Sequence, residues 1–275
     1  APGEYARLAG LAEELGFDNT EEFVRLQGFE IVESAASFAT EEDAPHTWGF
    51  GLQDDRFYNK FFTHFDRLRA TGDERPTFAV LATISNHMYF SKVPADRRHL
   101  YPEPQNMEQA YANSVHLSDR GLAVFFEELE RRPWLADSLV IITGDHGFPM
   151  GEHGYYHNEI GAFDEFFRVP FLMLWKGHLA PRRIRETAFS HMDVAPTLLD
   201  LLQLPVTRHH FQGTSMVPEP PITHPIPLVQ PYNGQQLGVV DWPHKYIVQT
   251  RTGDEQYYDL EQDPGETDNR LDQLD

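Results

Sequence analysis

The chain has 275 residues, 40% of them hydrophobic and none of them cysteine, enough to bury a sizeable core in one large domain or in a main domain with a small appendage. The missing cysteine excludes disulfides, thiolate metal ligands and a cysteine nucleophile within these residues. A formal charge of −21 repels nucleic acid and anionic membrane surfaces, so an anionic partner needs a local cationic focus such as a metal ion.

The first residues, "APGEYARLAG", lack the basic start and apolar block of a signal peptide. No apolar run approaches the roughly 18 residues of a membrane span, so the chain is not expected to cross a membrane. Between Glu4 and Gln27 the apolar residues recur at helical spacing, with "DNTEEF" (Asp18–Phe23) as an N-cap and acidic first turn; this predicts two short helices. The stretch His46–Ala70 begins as a Gly-containing loop and becomes an amphipathic helix from about Asp54. "TFAVLATI" (Thr77–Ile84) is an apolar, β-rich run. Asn106–Arg132 is the longest helical pattern, ended by Pro133.

Two further apolar runs, "SLVIIT" (Ser138–Thr143) and "VPFLMLW" (Val169–Trp175), are of the kind buried on both faces of a largely parallel sheet. A helix over Asp193–Leu204 follows, with an Asp cap and Pro in its first turn. Strands alternating with helices predict a layered α/β fold whose strand ends carry function. After Phe211 a Pro-rich segment leads to three strand-like pieces, "LGVVDW", "KYIVQT" and "EQYYDL". The expected division is therefore an α/β domain over residues 1–211 and a Pro-rich linker with a small antiparallel subdomain over 212–275.

The chemistry gathers at "VIITGDHGFPMGEHGYYHNE" (Val140–Glu159), where an apolar strand runs into Asp145 and His146 between glycines. A carboxylate beside an imidazole at a strand end suits Zn²⁺ or Mn²⁺ better than the all-oxygen shell of Ca²⁺. A capped turn, with Asp145 bonding backbone amides, is the alternative on the dipeptide alone.

Several stretches in order resemble the alkaline phosphatase superfamily, in its sulfatase and lipoteichoic acid synthase (phosphoglycerol transferase) branch. They are "SNHMYF" (Ser85–Phe90), "YANSVHLSDRGLAVFFEEL" (Tyr111–Leu129), "IITGDHGFPMGEHG" (Ile141–Gly154), "FRVPFLMLWKG" (Phe167–Gly177), "SHMDVAPTLLDLLQLP" (Ser190–Pro205) and "KYIVQTRTGDEQYYDLEQDPGETDN" (Lys245–Asn269). The resemblance implies an alkaline phosphatase-like sheet flanked by helices, and metal-dependent hydrolysis or transfer of a sulfate or phosphate ester. It makes Asp145 and His146 metal ligands, with His191 as a further candidate. His87 would contact the phosphate or sulfate, and the "HTWG" loop with His46 and Trp48 would line the head-group pocket. His153 and His157 are candidates for facing the anion or for structural roles; "RHHF" (Arg208–Phe211) reads as a surface loop. The cation implied is Mn²⁺ or Zn²⁺, with Ca²⁺ or Mg²⁺ as further options. The substrate implied is an anionic ester of a lipid head group, glycan or aryl alcohol. The setting implied is extracellular or periplasmic, with a tether through an upstream membrane segment as one arrangement.

The family also needs a metal-bound Ser, Thr or modified Cys nucleophile and an acidic ligand, both well upstream of the Ser-Asn-His turn. This sequence has neither a Cys-x-Pro-x-Arg nor a Ser-x-Pro-x-Arg signature. No catalytic nucleophile is therefore assigned, and the chain is expected to correspond to the C-terminal portion of the catalytic domain, inactive alone. Glu33 with Ser37 or Thr40 in "FEIVESAASFAT" (Phe29–Thr40) is the one internal substitute, set aside because its apolar run is too short for a central strand. The alternative from another class is a catalytically inactive binding module on the sulfatase fold.

Overall fold

The computed structural model describes residues 5–11, 19–48, 51–158, 160–205, 210–230 and 234–274. They belong to two compact units, Ala1–Asp137 and Ser138–Asp275.

In the first unit the elements run β1 (Ala6–Leu11), α1 (Thr20–Leu26), β2 (Ile31–Ser34), α2 (Ala35–Phe38), β3 (Thr47–Trp48), β4 (Gly51–Leu52), α3 (Asp54–Arg69), β5 (Thr77–Ala82) and α4 (Met107–Glu130). β1 lies between β2 and β5 and is parallel to both. The helix expected at the start of the chain is therefore a central strand as far as Leu11, although helix α1 does form. Its Ala- and Leu-rich composition favours helix in isolation, but Leu8, Ala9 and Leu11 bury their side chains, and such tertiary context overrides propensity. Residues 12–18, including the predicted Asp18 cap, lie outside the described residues.

Aromatic side chains at helical spacing on α3 (Phe57, Tyr58, Phe61, Phe62, Phe65) are all buried, which explains why this segment is helical and which face it hides. Gly10 makes that packing possible, since a Cβ there would sit 3.1 Å from the Phe61 ring and 3.0 Å from Leu81. α4 packs on α3 through Phe125, whose ring centroid is 5.2 Å from Tyr58 and 5.6 Å from Phe62. Asn106 caps α4 by accepting the Gln109 N–H at 2.9 Å, and Pro133 opens the 3-10 turn that follows it.

The second unit contains β6 (Val140–Thr143), α5 (Asp164–Phe167), β7 (Phe171–Leu174), α6 (Val194–Leu201), β8 (Ile226–Val229), β9 (Gln236–Asp241), β10 (His244–Gln249) and β11 (Glu255–Asp259). β6 and β7 pair with each other antiparallel, and Leu172 and Leu174 remain exposed. That departs from the expected strands buried on both faces; among the described residues β6 and β7 pair with each other alone. The C-terminal sheet is antiparallel in the order β11-β10-β9-β8. Its fourth strand comes from the Pro-rich segment, where Pro227 is tolerated because β8 is at the edge. Phe163 and Phe166, flanking and within α5, join Ile226, Leu228, Val240, Ile247 and Tyr258 in one buried cluster. The architecture is thus mixed α/β, with a parallel sheet and a C-terminal antiparallel sheet.

Candidate metal centre and the His87 turn

The turn after β6 places Asp145 and His146 side by side, with His146 Nε2 3.6 Å from Asp145 Oδ2. The imidazole is oriented by the backbone, its Nδ1 lying 2.8 Å from the Gly147 carbonyl. A carbonyl can only accept, so Nδ1 is the donor in that bond and Nε2 is the ring nitrogen turned toward Asp145. Second-partner hydrogen bonding of this kind is the usual way a metal-ligating histidine is held. The Asn158 carboxamide nitrogen lies 3.2 Å from Nδ1 and 3.4 Å from Nε2; it can only donate, so Nε2 is the ring nitrogen able to accept from it. The Asp145 side chain is 88% exposed and accepts the His146 N–H at 2.9 Å.

Gly147 is dictated by packing. A Cβ at this position would lie 2.3 Å from the Glu165 carbonyl oxygen, and the Gly147 N–H donates to the Phe166 carbonyl at 2.9 Å. The turn therefore rests directly on α5.

His191 sits in the 3-10 turn before α6, where Ser190 and Asp193 form a capping box. Its Nε2 is 3.3 Å from Thr143 Oγ1, at the end of β6. His157 is exposed. His153 is occupied: Nδ1 meets Glu165 Oε1 at 2.9 Å, Nε2 meets the Glu266 carbonyl at 3.0 Å, and the ring stacks on Phe163 with centroids 3.8 Å apart. Of the two roles open to His153, these contacts describe the structural one. Burial alone would lower its pKa, but the bonds to Glu165 and Glu266 outweigh that and raise it.

The donors fit a divalent cation in type and spacing. Two ligands of a tetrahedral ion with bonds of about 2.1 Å lie roughly 3.4 Å apart, close to the Asp145–His146 separation. They do not close a site, because among the described residues no group of three or more His, Asp or Glu side chains converges on one point.

His46, Trp48 and His87 belong to the first unit. Trp48 is buried, 1% exposed, and its Nε1–H donates to the His87 carbonyl at 3.1 Å. The turn that carries His87 is held from beneath by Asp54, at the start of α3. Asp54 Oδ1 accepts the N–H of Ile84 at 3.0 Å and of Ser85 at 2.8 Å, while Ser85 Oγ accepts the Asp54 N–H at 2.8 Å. Burial is the largest influence on the Asp54 carboxyl and pushes its pKa up. The His87 ring is exposed and Nδ1 is 2.6 Å from the Met88 carbonyl. His46 Nε2 lies 3.1 Å from Arg56. Gly49 of the "HTWG" loop, Glu159 and residues 206–209 lie outside the described residues.

Sequence reasoning passed over Asn158, Thr143 and Asp54. Asn158 stood beside the histidine chosen from the same loop, but Asp54 was visible only as the start of a helix; its link to residues 84–85 depends on tertiary folding.

These two sites, on a mixed α/β scaffold, coincide with a match to the Sulfatase family over residues 4–204. The chain belongs to that family. It is 30% identical over 169 residues to a choline-sulfatase of Rhizobium meliloti, covering 58% of this chain and 32% of that protein. It is 23% identical over 175 residues to a lipoteichoic acid synthase of Staphylococcus saprophyticus, covering 61% of this chain and 26% of that protein. Among solved structures, an alkaline phosphatase superfamily protein from Vibrio parahaemolyticus superposes with a TM-score of 0.73 at 20% identity, over 94% of this chain and 59% of that one. The chain thus spans about a third or less of these curated relatives.

Proposed function

We propose that the protein to which these residues belong hydrolyses or transfers a sulfate or phosphate ester in a divalent-metal-dependent reaction. The observation that carries this reading is the Asp145–His146 pair, with the imidazole turned by Gly147 so that Nε2 and a carboxylate oxygen face each other. Asp145 and His146 would hold the ion, and His191 beside Thr143 is the candidate third ligand. When bound, a cation of the Mn²⁺ or Zn²⁺ kind supplies positive charge to an oxygen developing negative charge on sulfur or phosphorus. His87, exposed on its turn with Nδ1 2.6 Å from the Met88 carbonyl, would contact the transferred anion. Trp48 acts through the His87 carbonyl and, with His46, would line the head-group pocket; His157, exposed in the loop after β6, is a candidate for facing the anion. In the reaction one S–O or P–O bond breaks, the group passes to an oxygen nucleophile, and the leaving oxygen takes up a proton. We place that nucleophile outside these 275 residues, which is supported by the lack of a family nucleophile signature in them. Membership of the Sulfatase family supports an anionic ester substrate and a setting outside the cytoplasm. Among the described residues no helix is long and apolar enough to cross a membrane.

Titration calorimetry of the 275-residue chain with Mn²⁺ or Zn²⁺ tests the assignment. Two donors, where three or four are usual, predict weak binding that Asp145→Asn with His146→Ala abolishes. Sub-micromolar affinity, or affinity untouched by the double substitution, would overturn it. An extended protein that binds ester but never turns it over would favour the inactive binding module instead.

A further inference from the structure

Both ends of the 147–153 loop are fastened to α5, and α5 is fastened in turn to two charged residues of the C-terminal subdomain. At the near end, Gly147 donates to the Phe166 carbonyl at 2.9 Å. At the far end, His153 bonds Glu165 at 2.9 Å. α5 itself begins at Asp164, whose N–H donates to Glu266 Oε2 at 2.6 Å. Its carboxylate receives the Lys245 ammonium at 2.9 Å, and the same ammonium meets Glu266 Oε1 at 2.8 Å. Both the Lys245 and Glu266 side chains are essentially inaccessible, 0% and 1% exposed.

A buried ammonium and carboxylate are costly to desolvate and are retained where the pairing fixes one arrangement of the surrounding chain. Here the arrangement fixed is the start of α5. Glu266 accepts the Asp164 N–H through its carboxylate, and its carbonyl meets His153, which itself bonds Glu165 of α5. Neither Lys245 nor Glu266 lies within the residues matched to the family.

We propose that Lys245 and Glu266 are positioning residues for the Asp145–His146 turn, acting through α5. The path is short. The pair sets Asp164, Asp164 sets the Glu165 and Phe166 carbonyls, and those set Gly147, whose own carbonyl orients the His146 ring. Because a Cβ would not fit between Gly147 and Glu165, a displacement of α5 is passed directly to the turn. The inference rests on reading that turn as half of a cation site, and its test separates the two.

The test is amide hydrogen exchange with ring NMR on the full 275-residue chain, comparing the parent with Lys245→Met and Asp164→Asn. In Lys245→Met the Gly147 amide is expected to exchange on the order of tenfold faster, while the Val240 and Val248 amides change little. The His146 ring resonances should shift, and broadening by added MnCl₂ should require more Mn²⁺. Asp164→Asn keeps the backbone donor to Glu266 while weakening the buried lysine contact and the long, exposed Arg168 pairing at 3.5 Å, so it gives a smaller change of the same sign and serves if Lys245→Met does not fold. Unchanged Gly147 protection and an unchanged His146 ring in a folded variant overturn the proposal. If Mn²⁺ leaves His146 unaffected even in the parent while Gly147 exchange follows Lys245, the cation reading fails and the mechanical coupling stands.

Discussion

Asp54 has almost no solvent exposure, yet one of its oxygens accepts the amides of Ile84 and Ser85. Those amides open the turn that presents His87, and burial leaves water unable to replace the carboxylate. Asp54→Ala should therefore cost roughly 2–5 kcal/mol, the penalty for two buried donors without acceptors. Asp54→Asn keeps one acceptor oxygen and should cost less. Urea unfolding midpoints measure both, and an alanine variant as stable as the parent would show that the turn holds itself. Room for Asp54 comes from Gly121 on α4, where a Cβ would approach the Asp54 Cβ to 2.8 Å. Trp48→Phe should free the His87 carbonyl by removing the Nε1 donor, and should also cost on the order of 1–3 kcal/mol in urea unfolding because the pyrrole part of a fully buried indole is lost with it.

At the scale of elements, the loop following β6 is stabilised by a histidine that must donate from both nitrogens. Glu165 Oε1 and the Glu266 carbonyl are both acceptors, so the charged imidazolium satisfies both and the neutral ring only one. Its folded pKa accordingly stands above the ordinary 6.5. The stabilisation is complete below pH 6.5 and is lost as pH rises through the folded value. His153→Asn, chosen because Asn tolerates the positive φ of 49° at this position, should cost roughly 1–3 kcal/mol at pH 6. It should also flatten the fall in Tm that the parent shows on the alkaline side. A parent Tm that rises over that window would contradict the assignment. Such contacts show what the sequence could reveal. α3, α4, β6 and the Asp145–His146 turn were legible because each declares itself over a few neighbouring residues, by aromatic spacing, a cap or a strand end. β1 was not, because its composition favours helix and only β2 and β5 on either side make it a strand. β8 was hidden by its proline, which is compatible with a strand only at an edge that sequence cannot identify. The partners of His153, at Glu165 and Glu266, are likewise set by the packing of α5 on the C-terminal sheet.

For the whole molecule, the proposed chemistry needs an activated oxygen, and the hydroxyls that could substitute for one are committed elsewhere. Thr40 donates to Asp43 Oδ2 at 2.9 Å, and Asp43 pairs with Lys60 at 2.9 Å. Ser37 Oγ accepts the Ser34 N–H at 3.3 Å, closing the cap of α2. Glu33, the acid that would have to serve as ligand, faces His64 at 3.2 Å. Each is explained by local structure, so alanine at Glu33, Ser37 or Thr40 should not reduce activity in a protein extended upstream. The 275 residues alone should leave aryl sulfates, aryl phosphates and glycerophospholipid head groups unchanged with Mn²⁺ added, because removing a nucleophile costs on the order of a millionfold in turnover. A poorly held metal hydroxide is the remaining route, and the two donors at Asp145 and His146 give it little support. The upstream-extended protein should act on at least one of these ester classes. The assay compares the purified chain with its Asp145→Asn variant on all three. Robust turnover in the parent that disappears in the variant would place the nucleophile within this sequence, and the caps around Ser37 and Thr40 would then have to open for catalysis.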